Sequence, residues 1–157
     1  MIPFGIRVRV YWEDTDAGGV VFYANYLKFF ERARTEWLRS LGFSQQRLVA
    51  DHGTMFVVTD ASIGYRAPAR LDDEVDVTLA VERTSPATIT LAQQARRGAT
   101  LLAEGTVRIA CVDAATLAPR RVPDAIAQAI AQATTTKDVA DTTTADMTHP
   151  KAEAPAA

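Results

Sequence analysis

Residues 13–19 read Glu-Asp-Thr-Asp-Ala-Gly-Gly, three carboxylates within four positions followed at once by a glycine pair. Three readings are open to such a run. It can be a solvated turn, because Asp and Thr side chains bond to their own backbone. It can be a hard-cation loop, although calcium asks for about six or more oxygens and the Asp-x-Asp-x-Asp-Gly…Glu spacing is lacking. Or Asp16 can be a reacting carboxylate. In that case Gly18 and Gly19 let a substrate approach the backbone closely. The start of the following helix then offers free N–H donors and a positive dipole end to a developing oxyanion.

Other chemistry-bearing residues are few. The single cysteine, Cys111, lies on an alternating strand pattern and reads as a buried structural thiol; alone it allows no intrachain disulfide. His52, in Asp51-His52-Gly53 ahead of a strand, reads as a capping or surface residue. No Gly-x-Ser-x-Gly elbow, Gly-x-Gly-x-x-Gly fingerprint or Walker pattern occurs, and His52 has no evident nucleophile to serve. Arg66 and Arg70, on either side of Pro68, are candidate contacts for phosphates or simply solvated loop cations.

The elements that must hold the acidic turn are legible around it. Residues 6–12 alternate Ile6, Val8, Val10, Trp12 against Arg7, Arg9, Tyr11, the pattern of a half-buried strand. A helix is expected over 25–41, with Asn25 as N-cap and Gly42 just past its end. Tyr26, Phe30, Ala33, Trp37 and Leu41 form its apolar stripe, widened by Leu27, Phe29 and Leu38, with Arg32 and Glu36 paired on the other side. So aromatic a face needs a broad cover, which a sheet provides. Strands are expected at 54–65, 74–83, 88–96 and 100–112, the last three joined by the tight turns Thr84-Ser85-Pro86 and Arg97-Gly98-Ala99 as an antiparallel meander. One long helix against one antiparallel sheet is an α+β layout.

The chain divides by composition into a folded domain over 1–131 and a tail over 132–157. Ala and Thr supply 14 of the tail's 26 residues and its hydrophobic period stops, so disorder is expected there. The body carries 15 basic and 15 acidic residues, and the whole −2 net charge belongs to the tail. A neutral body argues against a nucleic-acid face. No segment approaches a membrane span and the N-terminus reads as strand rather than signal peptide, which gives a cytoplasmic expectation.

The run Thr15-Asp16-Ala17-Gly18-Gly19-Val20-Val21, then Asn25-Tyr26, then Phe30-Glu31-Arg32-Ala33-Arg34, resembles the 4-hydroxybenzoyl-CoA thioesterase family and its YbgC branch of acyl-CoA thioesterases. Tyr65-Arg66-Ala67-Pro68-Ala69-Arg70-Leu71-Asp72-Asp73 extends the likeness, which spans nearly all of residues 6–113. The resemblance implies the hotdog fold, an antiparallel sheet wrapped around one central helix. It implies hydrolysis of an acyl-CoA, short-chain aliphatic or aromatic, to a free acid and CoA. Asp16 would be its nucleophile or general base, and the backbone N–H of Tyr23 would polarise the thioester carbonyl. Gly18, Gly19, Arg66 and Arg70 would line the substrate. Many YbgC-type sequences carry His at the place of Tyr23, whereas hydroxybenzoyl-CoA members show Tyr.

The resemblance further implies no metal and no prosthetic group, CoA entering as part of the substrate. It implies a homodimer or homotetramer with sites between protomers, acyl carrier protein as a partner, and an association with the Tol-Pal envelope system. The rival expectation is a hotdog module that binds acyl-CoA or acyl carrier protein without turning the thioester over.

Overall fold

Alternation builds the sheet. In β3 (Glu74–Thr84), Val75, Val77 and Leu79 are buried while Glu74, Asp76 and Thr78 are not, the period of a strand with one wet face. β4 (Thr88–Arg97) and β5 (Thr100–Asp113) follow as the expected antiparallel meander. β1 (Phe4–Arg9) pairs with β3 and β2 (Thr54–Tyr65) with β5, giving five antiparallel strands in the order β1-β3-β4-β5-β2. The computed structural model describes residues 3–143, with side-chain surroundings over 3–134. Strands β2 to β5 fall within one residue of their expected ends.

β1 stops short of its expected end at 12. The Asp14 carboxylate accepts from the Tyr11 N–H at 2.8 Å, and the chain coils into a single 3-10 turn, Trp12–Asp14. Trp12, expected to face inward with Val8 and Val10, is therefore thrown outward and is 80% exposed.

Helix α1 (Asn25–Ser40) buries Tyr26, Phe29, Phe30, Ala33, Trp37 and Leu38 and packs on β1, β3 and β4. Burying each large side chain is worth about 1.5–3 kcal/mol, enough to fix the helix on the sheet. Gly42, at φ +91°, ends it as expected. Three details differ. Ala24 is the N-cap and Asn25 already lies inside the helix with its side chain turned to Asp14. Leu27 is exposed. Glu36 pairs with Arg39, while the Arg32 guanidinium sits over the Phe29 ring at 5.7 Å.

Two helices carry no strong sequence signal. α2 (Gln45–His52), capped by Ser44 and ended by Gly53 at φ +62°, buries only Leu48, too little to write a stripe. α3 (Asp124–Thr143) contradicts the disorder expected from residue 132 as far as Thr143; the boundary set between 131 and 132 falls inside this helix. Its first turns are anchored by buried Ile126 and Ile130. Alanine has the highest helix propensity, and a nucleated helix extends at little cost. Residues 144–157 of the expected tail lie outside the described residues.

Gly105, on β5, lies hard against the main chain of β2. A Cβ there would stand 2.1 Å from the Ser62 carbonyl oxygen, a main-chain atom that cannot swing aside. Gly105→Ala is expected to destabilise the fold by about 2 kcal/mol or more, read as a lower urea midpoint at unchanged slope.

Candidate active site

The acidic turn closes into a small hairpin. Thr15 bridges Val21, the Asp16 N–H donates to the Val20 carbonyl at 2.9 Å, and Gly19, at φ +72°, takes the left-handed corner that favours glycine. The β2–β3 connection lies alongside: Val20 bridges Arg70, and the Val21 N–H donates to the Ala69 carbonyl at 2.9 Å. Tyr26, from α1, accepts the Ala69 N–H at its hydroxyl, 3.2 Å away, and ties that connection to the helix. Burial pushes the Tyr26 phenol above its ordinary value, so the group stays neutral near pH 7.

Asp16 stands exposed at the tip, its Oδ1 accepting from the Gly18 N–H at 2.8 Å. The Gly19 N–H is also taken, by the Asp16 carbonyl at 3.0 Å. The glycine pair, expected to face a substrate, thus spends its N–H groups on orienting Asp16. A Cβ at Gly18 would sit 3.1 Å from Asp16 Oδ1, tight enough to press on the carboxylate.

A free donor stands at the far end of the same loop. Among the described residues the Tyr23 backbone N–H has no protein acceptor. The carbonyl of its own peptide, on Phe22, accepts from the Asn25 N–H at 2.9 Å, which polarises the Tyr23 N–H further. The Tyr65 hydroxyl donates to the Tyr23 carbonyl at 2.7 Å, and partial burial pushes the Tyr65 phenol up, so it remains a donor. The Tyr23 ring is 74% exposed and meets Tyr65 edge-on at 6.5 Å; Tyr65 meets Tyr26 at 5.7 Å. An aromatic wall thereby flanks a free N–H at the entry to a 16-residue helix.

Asp16, Gly18, Gly19, Tyr23 and Arg70 thus share one neighbourhood. Arg66, next to Tyr65, has its guanidinium on Glu104 at 3.0 Å, whereas the Arg70 side chain makes no hydrogen bond among the described residues. Nearby, partial burial would raise the Asp73 carboxyl. The Arg70 N–H, the Arg97 guanidinium bonded at 2.5 Å and the charges of Arg97 and Arg70 hold it below its ordinary value.

Two contributors escaped the sequence reading. Tyr65 opens the 65–73 stretch that shares the family likeness, and only the fold brings it to Tyr23. Asp14, given no role of its own by the sequence, is 3% exposed and bonded to Asn25. A substitution at Asp14 would break a buried bond, so exposed Glu13 is the acid of this turn that suits a control for Asp16. Among the described residues no group of three or more His, Cys, Asp or Glu side chains is placed to hold a metal ion. Cys111 is buried as expected, and that burial raises its thiol.

A family model described as the thioesterase-like superfamily matches residues 10–130. The chain is 48% identical over 120 residues to the acyl-CoA thioesterase YbgC of Haemophilus influenzae, covering 76% of this chain and 88% of that protein. It is 45% identical over 120 residues to the acyl-CoA thioester hydrolase YbgC of Escherichia coli O6:H1, covering 76% and 89%. Among solved structures, a probable thioesterase from Bartonella henselae superposes with a TM-score of 0.74 at 34% identity, covering 78% of this chain and all of that one (100%).

Proposed function

Since the chain belongs to the thioesterase-like superfamily, in its YbgC branch and with the hotdog fold, we propose that it hydrolyses acyl-CoA to a free acid and CoA with Asp16 as the reacting carboxylate. Thioester hydrolysis needs a group that adds to the carbonyl, or activates water to do so, and a donor that holds the oxyanion formed. The observation that carries the reading is their pairing on one loop: an exposed, oriented Asp16 and the unbonded N–H of Tyr23. Asp16 acts as nucleophile, giving a mixed anhydride, or as general base for water. Label found in the Asp16 side chain after a single turnover in 18O-water identifies the anhydride route, since only attack of water on the Asp16 carbonyl of the anhydride puts it there. Neither route calls for a metal or prosthetic group.

The acyl group is a short aliphatic or an aromatic one, set against the exposed Tyr23 and Tyr65 rings. The CoA arm leaves past the β2–β3 connection. There Arg70, whose side chain has no hydrogen-bonded partner among the described residues, is the better phosphate contact, and Arg66, held by Glu104, the lesser. Arg70→Ala is therefore expected to raise KM by about fivefold with kcat little changed, as fits the loss of one exposed ionic contact of about 1 kcal/mol. Arg66→Ala should change KM less; the reverse ranking would move the nucleotide to the other side of Pro68.

The working unit is a homodimer, or a tetramer made of two. In one chain Asp16 and Tyr23 are open to solvent, and β2 is an edge strand of 12 residues that a second copy can cover. Acyl carrier protein presents the same thioester on the same pantetheine arm and is a second acyl donor. A cytoplasmic location accords with the helices of the described residues, none of which is long and apolar enough to cross a membrane. The test is release of free thiol from a panel of acyl-CoAs, followed with DTNB.

A further inference from the structure

Beneath the catalytic loop lies a buried acid with no cationic partner among the described residues. Asp14 is 3% exposed and forms no salt bridge among the described residues. Its Oδ2 accepts from the Tyr11 N–H at 2.8 Å and its Oδ1 from Asn25 Nδ2 at 3.0 Å. Because a carboxylate of this kind only accepts, the bond fixes which way the Asn25 amide points. Asn25 Oδ1 is left buried without a donor. Buried charge and an orphaned amide oxygen are both unfavourable, offset here in part by the positive end of α1. An apolar pair would fill the space at less expense, so the arrangement asks for another reason.

That reason is its position. Asp14 is two residues before Asp16, and Asn25 is two residues after Tyr23. The Phe22 N–H donates to the Asp14 carbonyl at 3.2 Å, and the Asn25 N–H to the Phe22 carbonyl at 2.9 Å, so the two side chains close a ring of bonds at the foot of the loop. Everything between them hangs from that ring: the reacting carboxylate on one limb and the oxyanion donor on the other. The geometry points to Asp14 and Asn25 as positioning residues that set the Asp16 carboxylate against the Tyr23 N–H. This inference rests on the catalytic reading above and adds residues that touch no reacting atom. A displacement of about 1 Å between two reacting groups can cost about a hundredfold in rate, so a brace at the foot of the loop controls turnover.

Three variants test it with propionyl-CoA and benzoyl-CoA: Asp14→Ala, Asn25→Ala and the exchange Asp14→Asn with Asn25→Asp. The alanine variants should lower kcat by about tenfold to a hundredfold with KM within about threefold. The exchange keeps both bonds, since an amide at 14 can accept from Tyr11 and donate to a carboxylate at 25. It should recover kcat to within about threefold of wild type. Ile126→Ala, a core cavity in α3, supplies a destabilised reference that should keep its kcat. If the alanine variants do not fold, the exchange decides alone. Alanine variants that fold with wild-type kcat overturn the brace, as does an exchange that fails to fold or stays about tenfold or more below wild type. Asp16→Asn run alongside keeps the two ideas separate. An inactive Asp16→Asn with unaffected brace variants sinks only the brace, while an active one sinks the catalytic reading.

Discussion

Asp16→Asn is expected to lower kcat by about a hundredfold or more while leaving the fold intact. The substitution removes the charge and nothing else the structure relies on. Asp16 is exposed, and an asparagine oxygen can still accept the Gly18 N–H that now orients the carboxylate at 2.8 Å. An amide is neither a base nor a nucleophile toward a thioester, so both routes open to Asp16 close together. Glu13→Gln, three residues away on the same turn and exposed, controls for the loss of a negative charge near the site and should stay near wild type. Residual activity above about a tenth of wild type in Asp16→Asn would remove Asp16 from the chemistry.

At Tyr23 the side chain should be nearly dispensable and the backbone should not. Tyr23→Phe removes a hydroxyl that makes no hydrogen bond among the described residues, so kcat is expected within about threefold of wild type. Tyr23→Pro removes the N–H itself, and loss of one oxyanion donor costs about a hundredfold to a thousandfold in kcat. No hydrogen bond among the described residues is forfeited, because that N–H has no acceptor among them. Proline also restricts Phe22 before it, so circular dichroism must show an intact α1 before the kinetics are read. A large loss in Tyr23→Phe would bring the hydroxyl into the chemistry and shift the specificity toward aromatic acyl groups. Small losses in both would send the search for the donor elsewhere, and the Gly18 and Gly19 N–H groups, already held by Asp16, could serve only after that turn opened.

The sheet and the central helix were legible because period-two and helical stripes are written locally, residue against near neighbour. Val75, Val77 and Leu79 announce β3 unaided, as Tyr26, Phe30, Ala33 and Trp37 announce α1. Asp16 and Tyr23 were reached through motif resemblance; the structure puts Asp16 in a hairpin closed by Thr15 and Val21 and Tyr23 in the turn that follows it. What stayed hidden depends on contacts remote in the chain. Asn25 looks like a helix cap, since Asn at such a place commonly bonds its own first turn. Only the 3-10 turn, which brings Asp14 back across 11 residues, diverts its amide. Trp12 reads as the last inward residue of a strand until that same turn reverses it. Tyr65 reaches the Tyr23 carbonyl across 42 residues, a distance that no local pattern records. The helical span after residue 131 was missed for a different reason. Alanine and threonine lack an apolar period, yet α3 needs only Ile126 and Ile130 to start and alanine to continue.

The most direct single measurement is the release of CoA from a panel of short-chain and aromatic acyl-CoAs by the purified protein, with thiol titrated by DTNB and Asp16→Asn as the blank. Many equivalents of thiol per protomer for at least one substrate, and none above background in the blank, are the expected result. Tight binding of the same acyl-CoAs without thiol release would contradict it, and would make the chain a hotdog module that holds thioesters rather than one that cleaves them.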